Sequence, residues 1–336
     1  MSSRTTRVTT IAACLVSLGA LATSAIVAAR PSQQPAQSVT SNVSLAPGPR
    51  LVARSTASDS RGHLVSVSAD ATSGRRTVTP LSCSRLYAAG GTGVCLRLDP
   101  GLTTYQLVVI DGHLKTTREI PLVGVPNRAR VSPSGRMVAW TVFVTGDSYN
   151  GGRFSTRAGI LDTRTQELVP TLEDWAVTVA GRPYRARDLN FWGVTFTPDD
   201  RRFYATMSTG SHRYLVRGDM ATHRLTALMD NVECPSLSPD GTRIAFKSAR
   251  GGDPARGWRL SVLDLSTRRV APLTETRNVD DQAAWIDPHT VAYALPRGRD
   301  HSDVWKVPAD GTGRPAILIP DAESPAALGT AEVGAQ

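Results

Sequence analysis

The sequence predicts an all-β chain, a β-propeller of six four-stranded blades preceded by an apolar N-terminal signal or anchor segment. Three observations carry this expectation. A Ser/Thr/Asp-Pro corner leading into an alternating strand recurs along the chain. A second hairpin with a fixed Asp-to-Thr spacing follows three of those corners. The composition, with 6% aromatic residues, 28 Gly and 22 Pro in 336 residues, favours short strands and turns over long helices.

The clearest corner reads Leu237-Ser238-Pro239-Asp240-Gly241 and leads into Ile244-Ala245-Phe246. A second runs from Val131-Ser132-Pro133-Ser134-Gly135 to Val138-Ala139-Trp140, and a third from Phe196-Thr197-Pro198-Asp199-Asp200 to Phe203-Tyr204-Ala205. A shorter one is Ile286-Asp287-Pro288-His289, followed by Val291-Ala292-Tyr293. A Ser, Thr or Asp opens the turn, Pro presets its next φ, and Gly suits its last position. The strand that follows alternates with period two.

The second element reads Asp162-Thr163-Arg164-Thr165 before Leu168, Asp219-Met220-Ala221-Thr222 before Leu225, and Asp264-Leu265-Ser266-Thr267 before Val270. This is an apolar strand, an Asx-type turn and an outer strand. Two hairpins make four antiparallel strands, and the Pro corners lie 65, 41 and 49 residues apart. Four strands every forty-odd residues is the arithmetic of a propeller blade, and such sheets bury both faces only by stacking. Complete units fall near 83–122, 128–172, 190–228, 234–273 and 282–320, with a partial one over 51–81. Six blades are expected, with seven as the alternative.

The Ser238-Pro239-Asp240-Gly241 corner and its Ile244-Ala245-Phe246 strand resemble the WD40-like repeat of the TolB propeller family. The resemblance covers about residues 50–320. It implies an exported propeller that acts as a protein partner in the cell envelope. TolB proteins also carry an N-terminal α/β domain, for which the stretch 31–49 is too short. The expected organisation is a signal peptide or membrane anchor over 1–30, a polar linker over 31–49, the propeller over 50–320 and a disordered tail over 321–336.

Arg4 and Arg7 precede an uncharged stretch from Ile11 to Ala29, and Val27-Ala28-Ala29 offers small residues for cleavage. Cleaved or retained as an anchor, this segment places the remainder outside the cytoplasm. In that compartment Cys83 and Cys95, which flank a predicted hairpin, are the candidate disulfide, and Cys234 is left over as a buried apolar residue. The net charge is +9 and nearly all of it is arginine, the only lysines being Lys115, Lys247 and Lys306. These charges are scattered rather than clustered, so no nucleic-acid partner is expected.

With blade strands named a to d from tunnel to rim, the tight corners are the a–b and c–d loops of one face. The longer segments 146–155, 173–190, 250–257 and 296–302 fall on the other. Variable loops on a rigid scaffold are where binding resides, and arginine and aromatic side chains dominate binding energy. The candidate binding residues are therefore Tyr149, Arg153, Trp175, Arg182, Tyr184, Arg185, Arg187, Arg250, Arg256, Arg297 and Arg299, set against the simpler reading of solvated loop arginines. Asp188, Asp280 and Asp281 precede inner strands near the tunnel mouth, where paired carboxylates serve a cation or acid–base chemistry, or simply cap turns. No G-x-S-x-G elbow, H-E-x-x-H helix or metal-spaced histidine pair occurs. The sequence thus points to a monomeric, non-catalytic, cofactor-free scaffold that binds an envelope or extracellular protein. The alternatives are a propeller lactonase, lyase or glycan hydrolase, and a binder of an anionic cell-wall polymer.

Overall fold

A computed structural model describes residues 37–39, 43–99, 101, 104–144 and 155–329, all within one compact unit. The leader segment over 1–30 lies outside the described residues. Six sheets, each built on four antiparallel strands, stack around a central tunnel. Blade 2 runs Arg85–Ala89, Thr92–Leu98, Tyr105–Ile110 and Thr116–Leu122. Blade 3 runs Val125–Val131, Met137–Val144, Ser155–Asp162 and Leu168–Val169. Blade 4 runs Asn190–Phe196, Arg202–Thr209, His212–Asp219 and Arg224–Met229. Blade 5 runs Glu233–Leu237, Arg243–Ala249, Trp258–Asp264 and Val270–Pro272. Blade 6 runs Ala284–Asp287, Thr290–Arg297, His301–Pro308 and Ala316–Ile319.

Blade 1 closes the ring and corrects two expected boundaries. Its strands b to d are Arg50–Ser55, His63–Ser68 and Arg76–Ser82, but its inner strand is Ala322–Ala327. The expected disordered tail over 321–336 therefore supplies the strand that joins the two ends of the propeller. Ala-Glu-Ser-Pro-Ala-Ala carries no β-branched or aromatic residue, so its strand character comes from pairing rather than propensity. The expected linker 31–49 also joins the fold. Gln37–Val39 pairs parallel with Arg76–Ser82, and Leu45 is fully buried among Val52, Leu64, Leu86 and Cys95.

Each repeated corner has the same local cause. The hydroxyls of Ser132, Thr197 and Ser238 accept from the amides of Met137, Arg202 and Arg243, five residues on, at 2.9–3.1 Å. That bond starts the second strand, while Gly135 and Gly241 take the left-handed conformation the turn requires. In the outer hairpins Asp162, Asp219 and Asp264 each accept from the amides two and three residues on. The residue after the motif's Thr, Gln166, His223 or Arg268, has positive φ and turns the chain back. The Ser266 hydroxyl, with the Thr267 amide and hydroxyl, also donates to Asp264 and holds its pKa down at about 2.

Between blades the core is apolar. The largest cluster joins Met137, Ile160 and Leu172 of blade 3 to Phe191, Phe196 and Phe203 of blade 4. Gly159 makes room for the Trp140 ring, and a Cβ there would overlap that ring. Gly159→Val should lower stability by about 1–3 kcal/mol through overpacking, read as a reduced midpoint in urea unfolding with an unchanged slope.

Candidate functional site: the loop-rich face and the tunnel mouth

The a–b and c–d turns lie on one face, and the b–c and d–a connections on the other, as strand order requires. Not every long connection is a loop. Residues 173–190 contain a hairpin, Ala176–Val179 with Arg182–Tyr184, which turns at left-handed Ala180-Gly181 and pairs parallel with the outer strand of blade 4. This overturns the placement of Trp175 among binding residues. Trp175 is buried, meets Phe203 edge-on with ring centroids 5.5 Å apart, and stacks on His223. Tyr184 is half-buried and its hydroxyl lies 3.0 Å from Thr209 Oγ1. Tyr149 and Arg153 lie outside the described residues.

Two candidate arginines are structural staples. Arg250 donates to the carbonyls of Trp258, Thr276 and Arg277, tying the b–c loop of blade 5 to its d–a connection. Arg297 bridges Asp303 and Asp321, the latter beside the closing strand. Arg182, Arg185, Arg187, Arg256 and Arg299 are exposed, and none has an ion-pair partner among the described residues.

The three candidate carboxylates do not converge on an open site. Asp188 accepts from Thr209 Oγ1 and from the Gly210 amide, both at 2.7 Å, and caps the b–c turn of blade 4. Those bonds lower its pKa. Asp281 accepts from the Ala294 amide at 3.0 Å. Asp280 pairs with the Lys247 ammonium. Burial opposes ionisation of Asp280, but Lys247 overcomes it and lowers the carboxyl pKa.

The mouth is built instead from charges on the inner strands. Arg85 opens the inner strand of blade 2, Arg128 lies at the middle of that of blade 3, Glu233 opens that of blade 5, and Glu323 lies near the start of the closing strand. Arg54 and Arg85 share Glu323 at 2.9 and 3.1 Å. Burial pushes the Arg85 pKa down against the pull of Glu323. Glu233 is clamped by Arg213 at 2.5 Å and Lys247 at 3.4 Å, and Lys247 lies 4.4 Å from the centre of the Trp258 ring. Both Glu233 and Lys247 are nearly fully buried. Desolvation raises the Glu233 pKa despite its two cations.

Local backbone produces this arrangement. The inner strands of blades 1, 4 and 5 each slip register through a bulge, at left-handed Ser324, Gly193 and Cys234. A Cβ at Gly193 would lie 2.8 Å from Cys234 Cα, so only glycine lets these strands approach. Below the mouth the tunnel is plugged. Arg130 reaches from blade 3 to the Ala283 carbonyl of blade 6, and Gln282 donates to the carbonyls of Val194 and Pro235. Between blades 4 and 5 the same face carries an open groove of about 720 Å³, lined by Asp188, Trp192, Arg213 and residues 252–255 among others.

Arg54, Arg85, Arg128, Arg213, Glu233, Lys247 and Glu323 were not among the residues singled out from sequence. A signal for part of this set exists: charged residues interrupt the apolar pattern of the inner strands, as in Asn127-Arg128-Ala129-Arg130 ahead of the Ser132-Pro133 corner.

No family model and no curated protein matches the sequence. Solved structures do match. TolB from Acinetobacter baumannii aligns over 84% of this chain and 67% of its own, with a TM-score of 0.58 at 18% identity. A chain of the nidogen/laminin complex aligns over 84% of this chain and 98% of its own, with a TM-score of 0.54 at 11% identity. A putative TolB from Agrobacterium tumefaciens also aligns, at a TM-score of 0.43 and 15% identity. At these identities the likeness establishes architecture, and the protein is a six-bladed β-propeller with the fold of the TolB proteins.

Proposed function

We propose that this protein is an exported, TolB-like propeller that serves as a non-catalytic scaffold in the cell envelope, binding an acidic protein through its loop-rich face. One contrast on that face carries the reading. Asp188 and Asp281 are tied to backbone amides and Asp280 to Lys247, whereas Arg185, Arg187, Arg256 and Arg299 are exposed without carboxylate partners among the described residues. Arg187 and Arg256 adjoin in sequence Asp188 and Ala255, which line the groove between blades 4 and 5. Exposed guanidiniums beside a groove, on a scaffold stiffened from within, suit recognition of carboxylates. The nidogen/laminin structure is that of a protein–protein complex, which supports protein binding as a use of this fold. Export is supported by the Arg4/Arg7 segment with its apolar stretch and by the Cys83–Cys95 disulfide, a bond of oxidising compartments.

Crosslinking in intact cells with a membrane-impermeant reagent, followed by mass spectrometry of the tagged protein, tests the reading. A defined envelope protein should be captured, and Arg185→Ala/Arg187→Ala/Arg256→Ala should reduce its yield at least tenfold. Full capture by the variant would remove the loop-rich face from the proposal. Failure of the reagent to reach the wild-type protein would remove export.

A further inference from the structure

We propose that the plugged tunnel holds a small monoanion of chloride size between Arg128 and Arg130. A cavity of about 30 Å³ lies below the mouth, lined by Arg85, Tyr87, Arg128, Arg130, Asp281 and Gln282 among others. A cavity of that size has room for about one to two water-sized spheres, the size range of a monatomic ion. Arg130 is buried, with 5% of its surface exposed. It stacks over the Tyr87 ring at 4.2 Å and spends one amino group on the Ala283 carbonyl. Arg128 spends one amino group on Asn127, at 2.7 Å to Oδ1 and 3.2 Å to the carbonyl, and also lies against the Cys234 thiol. The Nε–H groups of both arginines are buried without an acceptor.

The nearby carboxylates are committed elsewhere. Glu323 pairs with Arg54 and Arg85, Asp280 with Lys247, and Asp281 with the Ala294 amide. No carboxylate among the described residues comes within ion-pair distance of Arg128 or Arg130. Asp281 and Asp280 attract Arg128 from beyond that distance, but they leave the Nε–H groups of Arg128 and Arg130 without an acceptor, and a buried donor left unpaired is costly. One spherical anion accepting from both Nε–H groups satisfies both donors and adds a negative charge beside Arg128 and Arg130. The site would tie blade 3 to blade 2 and to the connection between blades 5 and 6, which supply Arg128 and Arg130, Tyr87 and Gln282 respectively.

The test compares thermal melts at constant ionic strength in sodium chloride, sodium bromide and sodium gluconate, whose anion is too large for the cavity. The melting temperature should rise saturably, by several degrees, with chloride or bromide replacing gluconate. Arg130→Gln and, separately, Arg128→Gln should abolish the rise, and Arg118→Ala, at an exposed arginine of the outer strand of blade 2, should retain it. Bromide-soaked crystals of the wild-type protein should show an anomalous peak between the two guanidiniums, independent of whether either variant folds. Identical melts in all three salts, or a water in place of the bromide peak, would overturn the proposal.

Discussion

Ending the chain after Pro320 is expected to destabilise the fold severely, although it removes only 16 of 336 residues. The deleted segment contains Ala322–Ala327, the inner strand of blade 1 and the contact that closes the ring. Without it Arg50–Ser55 presents unpaired amides and carbonyls toward the tunnel, a buried edge with no water to satisfy it. Arg54 and Arg85 lose Glu323, which they share. Arg76, only 1% exposed, loses the Asp321 carbonyl it also uses. Ala322, Ala326 and Leu328 leave vacant space in two core clusters. Together these are expected to cost more than about 4 kcal/mol, read as a marked fall in melting temperature. Far-UV circular dichroism melts and soluble yield read the result. Ala326→Asp, which places a charge at a fully buried position of the same strand, should reproduce much of the loss with the chain length intact. A truncated protein that melts like wild type would show that the blade closes without its inner strand.

Lys247→Met should be the most damaging single substitution at the tunnel mouth. Lys247 and Glu233 are both nearly fully buried, with side chains 5% and 6% exposed. Removing one member of a buried pair leaves the other charge uncompensated and costs about 3–5 kcal/mol. Arg213 remains on Glu233, so the lower part of that range is expected. The penalty should depend on pH in a defined direction. Desolvation already raises the Glu233 pKa above its unfolded value, and loss of Lys247 raises it further. A group with a raised folded pKa favours folding below its unfolded pKa and loses that contribution as pH rises through the folded value. The melting-temperature deficit of Lys247→Met should therefore be small at pH 4 and largest near pH 8. Loss of the Asp280 pairing acts in the same direction, because Lys247 lowers the Asp280 pKa. Adding Glu233→Gln should recover much of the stability at pH 8 and little at pH 4. A deficit independent of pH would mean that lost packing against Trp258, rather than charge, sets the cost.

The blade pattern was open to sequence reading because its cause is local. A hydroxyl that starts a strand five residues on, an aspartate that holds two amides, and a residue able to take positive φ each act within one turn, so each leaves a fixed spacing. The repeat at Ser132, Thr197 and Ser238 and the repeat at Asp162, Asp219 and Asp264 follow from that. Stacking of such sheets then follows from the apolar faces they share. What tertiary structure alone decided acts between residues far apart in the chain. The strand character of Ala322–Ala327 comes from Arg50–Ser55, more than two hundred residues earlier, and not from its own composition. Trp175 looked like a loop aromatic, but the parallel pairing of Ala176–Val179 with Arg224–Met229 draws it into the core. The mouth charges Arg54 and Glu323 of blade 1 and Arg85 of blade 2 lie far apart in sequence and meet only when the ring closes. Period and turn chemistry are written within one repeat, while charge compensation at a shared axis is a property of the closed ring.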